Sequence, residues 1–293
     1  MRVLVTGCNG QVGYFLTKIL TYKENVELLA VDREELDITN QEAVIRTVKA
    51  FKPTIIINAA AHTAVDKAEQ EVDLSYAINR DGPKFLAEAA QYIGAALLHI
   101  STDYVFDGKK SSEYVERDAT NPQSVYGSSK LAGEMAVAEA CEKHVILRTS
   151  WVFAEHGNNF VKTMLRLAIE RNKLSIVCDQ FGGPTYAGDI AKALAEIAER
   201  ISNDEQVEYG IYHYSGLPYV SWYEFAEVIF EAAVEDKILS HKPTLSRIRT
   251  EQYPTPAKRP NNSALSSKKI TDAFAIDASD WRGAVRDVKA FLE

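Results

Sequence analysis

The chain has 293 residues, 46% of them hydrophobic and 25% charged, the balance of a globular protein with ample material for a core. Its net charge of -8 argues against nucleic acid or an anionic membrane as the main partner, since both call for clustered Lys and Arg. Three widely spaced cysteines, Cys8, Cys141 and Cys178, contain no CxxC pair and suggest neither a disulfide framework nor a zinc site.

The N-terminal "MRVLVTG" runs straight into glycines, so no signal peptide is expected, and no apolar run approaches the roughly 18 to 20 residues that cross a bilayer. A soluble, cytoplasmic protein is the expectation. Short apolar runs then alternate with segments of helical period: "RVLVT", 11 to 22; "VELLAV", 40 to 51; "TIIIN", 72 to 93; "ALLHIS", 124 to 142; "HVILRTS", 158 to 171; "LSIV". Continuously apolar strands separated by helices imply βαβ units, hence an α/β, Rossmann-type doubly wound parallel sheet covered on both faces.

Beyond residue 178 the pattern loosens, with helices near 187 to 203 and 221 to 235, strands at "GIYHYSG" and "TLSRIRT", and a last helix over 279 to 292. "QYPTPAKRPNNS" (252 to 263) is a Pro-rich loop. The reading is a dinucleotide-binding domain over 1 to 178 and mainly a smaller α/β substrate-binding cap over 179 to 293, with interleaving between the two left open.

Between the first strand and first helix, "TGCNGQVG" spaces Gly7, Gly10 and Gly13 as GxxGxxG. Glycines there permit a tight turn and let a pyrophosphate approach backbone N–H groups at a helix start. Asp32, 19 residues after Gly13, suits an adenosine 2′-OH and NADH; the adjacent Arg33 suits a 2′-phosphate and NADPH. Both cofactors stay open, and a plain surface role for Arg33 stays open with them.

Tyr126 and Lys130 lie four apart on a helix, so they share a face, and an ammonium near a phenol lowers its pKa. Thr102 ends the fourth apolar run, and ligands of open parallel sheets bind outside the carboxyl ends of the strands. Three elements thus converge on one crevice.

The glycine pattern, Thr102 and the YxxxK of "YGSSK" resemble the extended short-chain dehydrogenase/reductase family. "AAAHTAVDKAE" and "STDYVFDG" are similar to its sugar-nucleotide reductases, and the resemblance covers nearly the whole chain. It implies NADPH- or NADH-dependent reduction of the C4 ketone of dTDP-4-dehydro-L-rhamnose, or a close dTDP-linked sugar, for cell-surface polysaccharide synthesis. Tyr126 would protonate the C4 oxygen, Lys130 would hold the nicotinamide ribose and depress the Tyr126 pKa, and Thr102 would hydrogen-bond the same oxygen beside Asp103. The resemblance further places Gly10, Gln11 and Val12 at the pyrophosphate, Asp37 and Ile38 at the adenine, and Ala60, Ala61 and His62 beside the cofactor. Thr63, Val65 and Trp151 would line the sugar site. The guanidinium of Arg259, in the Pro-rich loop, suits a substrate diphosphate.

His62 and Trp151 also have bland readings as packed residues. Related dehydratases carry an Asp-Glu pair where this chain has Asp103 and Tyr104, which favours reduction; a 4-epimerase, and a non-catalytic regulatory subunit like that of methionine adenosyltransferase, are the alternatives. Some related reductases carry a Glu in the first helix at a metal-bridged dimer; Phe15 stands in that region, so no metal is expected, and monomer and homodimer are both open.

Overall fold

The computed structural model describes residues 1–203 and 205–292. Strands β1 (Arg2–Thr6), β2 (Glu27–Val31), β3 (Ile55–Asn58), β4 (Ala96–Thr102) and β5 (His144–Thr149) alternate with helices α1 (Gln11–Thr21), α2 (Gln41–Phe51), α3 (Gly82–Ile93) and α4 (Val125–Ala140). Helices α5 (Phe160–Glu170), α6 (Ala187–Ser202) and α7 (Trp222–Glu235) follow, with β6 (Gly210–His213) between the last two. All six strands are parallel in the order β6-β5-β4-β3-β1-β2. The order runs outward from β1 in both directions, so the connections leaving β1 and β3 part and open a crevice at the carboxyl ends of the strands.

The continuous apolar runs are explained by burial on both faces. Val3, Val5, Ile55 and Ile57 face α1 and α6, while their neighbours Leu4 and Ile56 face α2 and α3. Strand β6 and helix α6 both come from beyond residue 178, so the later chain returns to complete the sheet and cover one of its faces. A separate core gathers α5, α7, Trp281 and Phe291.

Three expectations change. "LSIV" is a strand (Lys173–Val177), but it pairs with Thr244–Ile248 in a two-stranded sheet of its own. Its burial alternates, so it lacks the two-sided burial of a central strand. The segment 279 to 292 is not one helix: Trp281–Val285 is α-helical and Val288–Leu292 is a 3₁₀ turn. Gly283 weakens the helix, and Val288 and Phe291, three apart, both bury in the 3₁₀ turn. Finally, the helical body over 72 to 93 is interrupted by a π-helical turn, Ala77–Asp81, just before α3.

Helix starts differ in a telling way. Asn40, Ser124 and Asn159 cap α2, α4 and α5 by accepting a backbone N–H three residues on. The cap of α1 is Gly10, which has no side chain to offer.

Candidate active site

Beyond the ends of β1, β2 and β3 lies a cleft of about 460 Å³. Gly7, Gly10, Asp32 and Arg33 form part of its wall, with Asp37 and Ile38 at one side and Ala60, Ala61 and His62 at another. Gly7 has φ +72°, and a Cβ there would stand 2.6 Å from the Ala60 nitrogen. A Cβ on Gly13 would stand 2.0 Å from the Gly7 carbonyl oxygen. Only glycines let turn, helix and neighbouring loop approach this closely. The uncapped start of α1 leaves N–H groups free of side-chain partners, and a cradle of bare backbone at a helix start fits a dinucleotide phosphate.

The side chains of Gln11 and Val12 lie elsewhere. Gln11 accepts a hydrogen bond from Asn159 at 3.1 Å, and Val12 is buried in the core. Asp32 braces the glycine turn: its two oxygens accept from the backbone N–H of Asn9 at 2.9 Å and of Arg33 at 2.7 Å. The Arg33 side chain is exposed at the rim. Asp37 accepts from the hydroxyl and N–H of Thr39, and the hydroxyl bond is the main reason its pKa is lowered. The His62 ring is held by Ser75 at 2.9 Å and approaches Glu71 at 3.2 Å, while its backbone N–H donates to Asn79.

At the end of β4, the Thr102 hydroxyl donates to Asp103 Oδ1 at 3.0 Å and accepts from the Tyr104 N–H at 3.2 Å. Asp103 Oδ2 is buried without a partner, and burial raises the carboxyl pKa to about 6. Helix α4 brings Tyr126 to this point. Burial raises the phenol pKa above its ordinary value, against a hydrogen bond with Thr102; the Asp103 and Tyr104 charges add to the rise. The Tyr104 ring meets Tyr126 edge-on at 5.4 Å.

Lys130, one turn on, is fully buried. Its ammonium donates to the Ile100 carbonyl at 2.7 Å, and burial lowers its pKa to about 8 against the pull of Glu134. The expected depression of the Tyr126 pKa is therefore reversed in the folded chain. Desolvation of the phenol raises its pKa, the Asp103 and Tyr104 charges act in the same direction, and the ammonium is turned to the sheet carbonyl.

Thr63 is exposed and Val65 begins a short helix, Val65–Ala68. Arg259 joins this helix to the acid cluster: Nη2 donates to Asp66 at 2.8 Å and Nη1 to the Tyr104 hydroxyl at 3.2 Å. Trp151, with φ +49°, stacks on Trp222 with ring centroids 3.5 Å apart. A Cβ on Gly182 would stand 2.7 Å from the Trp151 indole, so the wall around this ring is tight. Among the described residues no group of three or more His, Cys, Asp or Glu side chains is arranged to hold a metal ion. Among the described residues no helix is long and apolar enough to cross a membrane.

Sequence reasoning passed over several buried polar residues behind this cluster. Asn58, His99, Glu134 and Arg148 are all buried. The visible signal was polarity inside apolar runs: the Asn of "TIIIN", the His of "ALLHIS" and the Arg of "HVILRTS". Asn79 is another, donating to the His62 carbonyl and the Ser129 hydroxyl from the π-helical turn.

A family model described as RmlD substrate binding domain matches residues 1–292. The chain is 53% identical over 292 residues to a dTDP-4-dehydrorhamnose reductase of Aggregatibacter actinomycetemcomitans, covering all of this chain and 99% of that one. A crystal structure of a dTDP-4-dehydrorhamnose reductase from Clostridium acetobutylicum superposes with a TM-score of 0.91 at 40% identity, covering 100% of this chain and 99% of the other. The Bacillus anthracis dTDP-4-dehydrorhamnose reductase, crystallised in complex with NADP, gives a TM-score of 0.88 at 38% identity over 99% and 98% of the two chains.

Proposed function

This chain belongs to the RmlD substrate binding domain family, and from that membership and its buried phenol we propose that it reduces the 4-keto group of dTDP-4-dehydrorhamnose to the alcohol. The reduced nicotinamide cofactor, when bound, supplies the hydride. NADPH is our choice of donor. It is supported by the NADP-bound relative, by the exposed Arg33 at the cleft rim, and by the engagement of both Asp32 oxygens with backbone N–H groups.

The observation that carries the mechanism is the state of Tyr126. Burial keeps its proton in place at neutral pH. A resting phenol is the form needed to protonate an oxygen on which negative charge builds, and an alkoxide is far more basic than even a destabilised phenolate. The Thr102 hydroxyl, in contact with the same phenol and donating to Asp103 in the free chain, would turn its one proton from Asp103 to that oxygen, a second donor whose bond strengthens as that charge grows. Lys130 lies one turn away and would orient the ribose side of the cofactor. Thr63, Val65, Asp103, Trp151 and Arg259 would hold the sugar nucleotide, with Arg259 exchanging Asp66 for a diphosphate oxygen. Tyr104 in place of a second carboxylate leaves no partner acid for eliminating water, which supports reduction over dehydration.

The test is to mix the purified protein with dTDP-4-dehydro-L-rhamnose and follow nicotinamide absorbance with NADPH and with NADH. Substrate-dependent oxidation of at least one is expected, and none with either would refute the reading. Tyr126→Phe is expected to lower kcat by more than about a hundredfold with NADPH affinity retained, as measured by fluorescence titration. Near-normal turnover in that variant would remove Tyr126 from the role of acid.

A further inference from the structure

Behind Lys130 a chain of buried polar groups runs through the sheet to the cofactor cleft. Asn58, at the end of β3, receives two hydrogen bonds on one atom: Thr6 Oγ1 at 2.8 Å and the Ala60 backbone nitrogen at 3.1 Å. A backbone N–H can only donate, so the Asn58 atom facing Ala60 is the carbonyl oxygen and the other is the NH₂. That NH₂ lies 3.0 Å from His99 Nδ1, on the adjacent strand. It can only donate as well, so Nδ1 accepts and the ring proton of a neutral His99 sits on Nε2. Nε2 in turn lies 3.4 Å from Lys130 Nζ.

Two N–H groups cannot both donate across that gap. With Lys130 charged, the Nε2–H points at an ammonium; with Lys130 neutral, the amine keeps its bond to the Ile100 carbonyl and offers its lone pair to Nε2–H. We propose that His99, locked in the Nε2–H tautomer by Ala60 and Asn58, is a positioning residue that aims the Lys130 amine and favours its neutral form. The inference rests on the assignment of Lys130 to the active site. His99 and Asn58 are fully buried, and burial with the Lys130 charge drives the His99 pKa well below its ordinary value, so the ring stays neutral.

One other group on the packed elements opposes this effect. Glu134, on the same helix, favours the charged amine but is itself paired with Arg148 of β5. Asp103 and Tyr104 act on Tyr126, and Arg80 pairs with Asp81 in the π-helical turn. The arrangement ties the Ala60 wall of the cofactor cleft to the proton affinity of Lys130 through three side-chain contacts.

The experiment uses the full-length protein without substrate, so a failure of the reductase reading leaves it intact. In ¹⁵N-histidine-labelled protein, His99 is expected as the neutral Nε2–H tautomer between about pH 6 and 8; a proton on Nδ1, or an imidazolium, overturns the proposal without any variant. In ¹³C-lysine-labelled protein the Lys130 titration is then compared among variants. His99→Leu removes the opposing N–H and is expected to raise the Lys130 midpoint by about one unit, roughly tenfold in its ionisation constant. His99→Gln keeps an acceptor for Asn58 and a donor for Lys130, and its midpoint stays within about threefold of the parent. A folded His99→Leu protein with an unmoved midpoint overturns the proposal; a purely structural histidine would give that result.

Discussion

Asp103 has one oxygen held by Thr102 and the other buried with no partner, and its pKa is raised from 3.8 to about 6. Below pH 3.8 the group is protonated in folded and unfolded chains alike. Between 3.8 and about 6 the folded chain binds the extra proton, so the stability this group contributes is present at low pH and is lost as pH rises through about 6. Asp103→Asn is therefore expected to be more stable than the parent at pH 8, by on the order of 1 to 3 kcal/mol, and no more stable at pH 4. Urea unfolding of both proteins at the two pH values checks this; a gain of the same size at both would mean that charge burial is not the cause. A carboxylate held at a cost to stability is what a substrate contact left partnerless in the free protein looks like.

At the scale of elements, α4 carries the site because of its phase. Ser124 caps it by accepting from the Gly127 N–H, and Tyr126, Lys130 and Glu134, four apart, then all point inward. Glu134 fastens this face to β5 through two bonds from Arg148, at 2.9 and 2.6 Å. Glu134→Gln is expected to lower the unfolding free energy by about 3 to 5 kcal/mol, since it strands a buried guanidinium, and turnover of whatever remains folded should fall as Lys130 loses its register. Calorimetry beside the activity assay reads both effects; an unchanged melting temperature would count against the pair. The phase of α4 was legible in the sequence, because i and i+4 spacing is local. Its anchor was not: Glu134 and Arg148 lie on different elements, and nothing in either segment announces a partner 14 residues away. The same limit hid His99, whose two neighbours, Asn58 and Lys130, are 41 and 31 residues distant.

Across the whole molecule, periodicity located the five N-terminal strands: in β1, β3, β4 and β5 two-sided burial writes itself as unbroken apolar runs, while the edge strand β2 is apolar but only partly buried. It misplaced "LSIV", because pairing partners are chosen by tertiary packing rather than by the run itself. The later chain supplies β6 at the sheet edge and α6 over Val3, Val5, Ile55 and Ile57. Each such side chain contributes about 1.5 to 3 kcal/mol when buried, against a typical total stability of about 5 to 15 kcal/mol. A fragment of residues 1 to 178 is accordingly expected to lack a cooperative unfolding transition and a near-UV dichroism signal; a sharp transition in that fragment would show that the sheet stands without its cover. The π-helical turn at Ala77–Asp81 acts on the same scale as a phase shift in a screw. Leu74, Ala77 and Ile78 line the cleft beyond β1, β2 and β3, whereas Leu86, Ala87 and Ala90 farther along the same helical body pack against the sheet. One residue advances an α-helix by about 100°, so deleting a single residue from the turn would rewind the screw and swing one of these two faces away from its target. A lone residue of surplus winding lets one continuous helical body serve as both wall of the cleft and cover of the core.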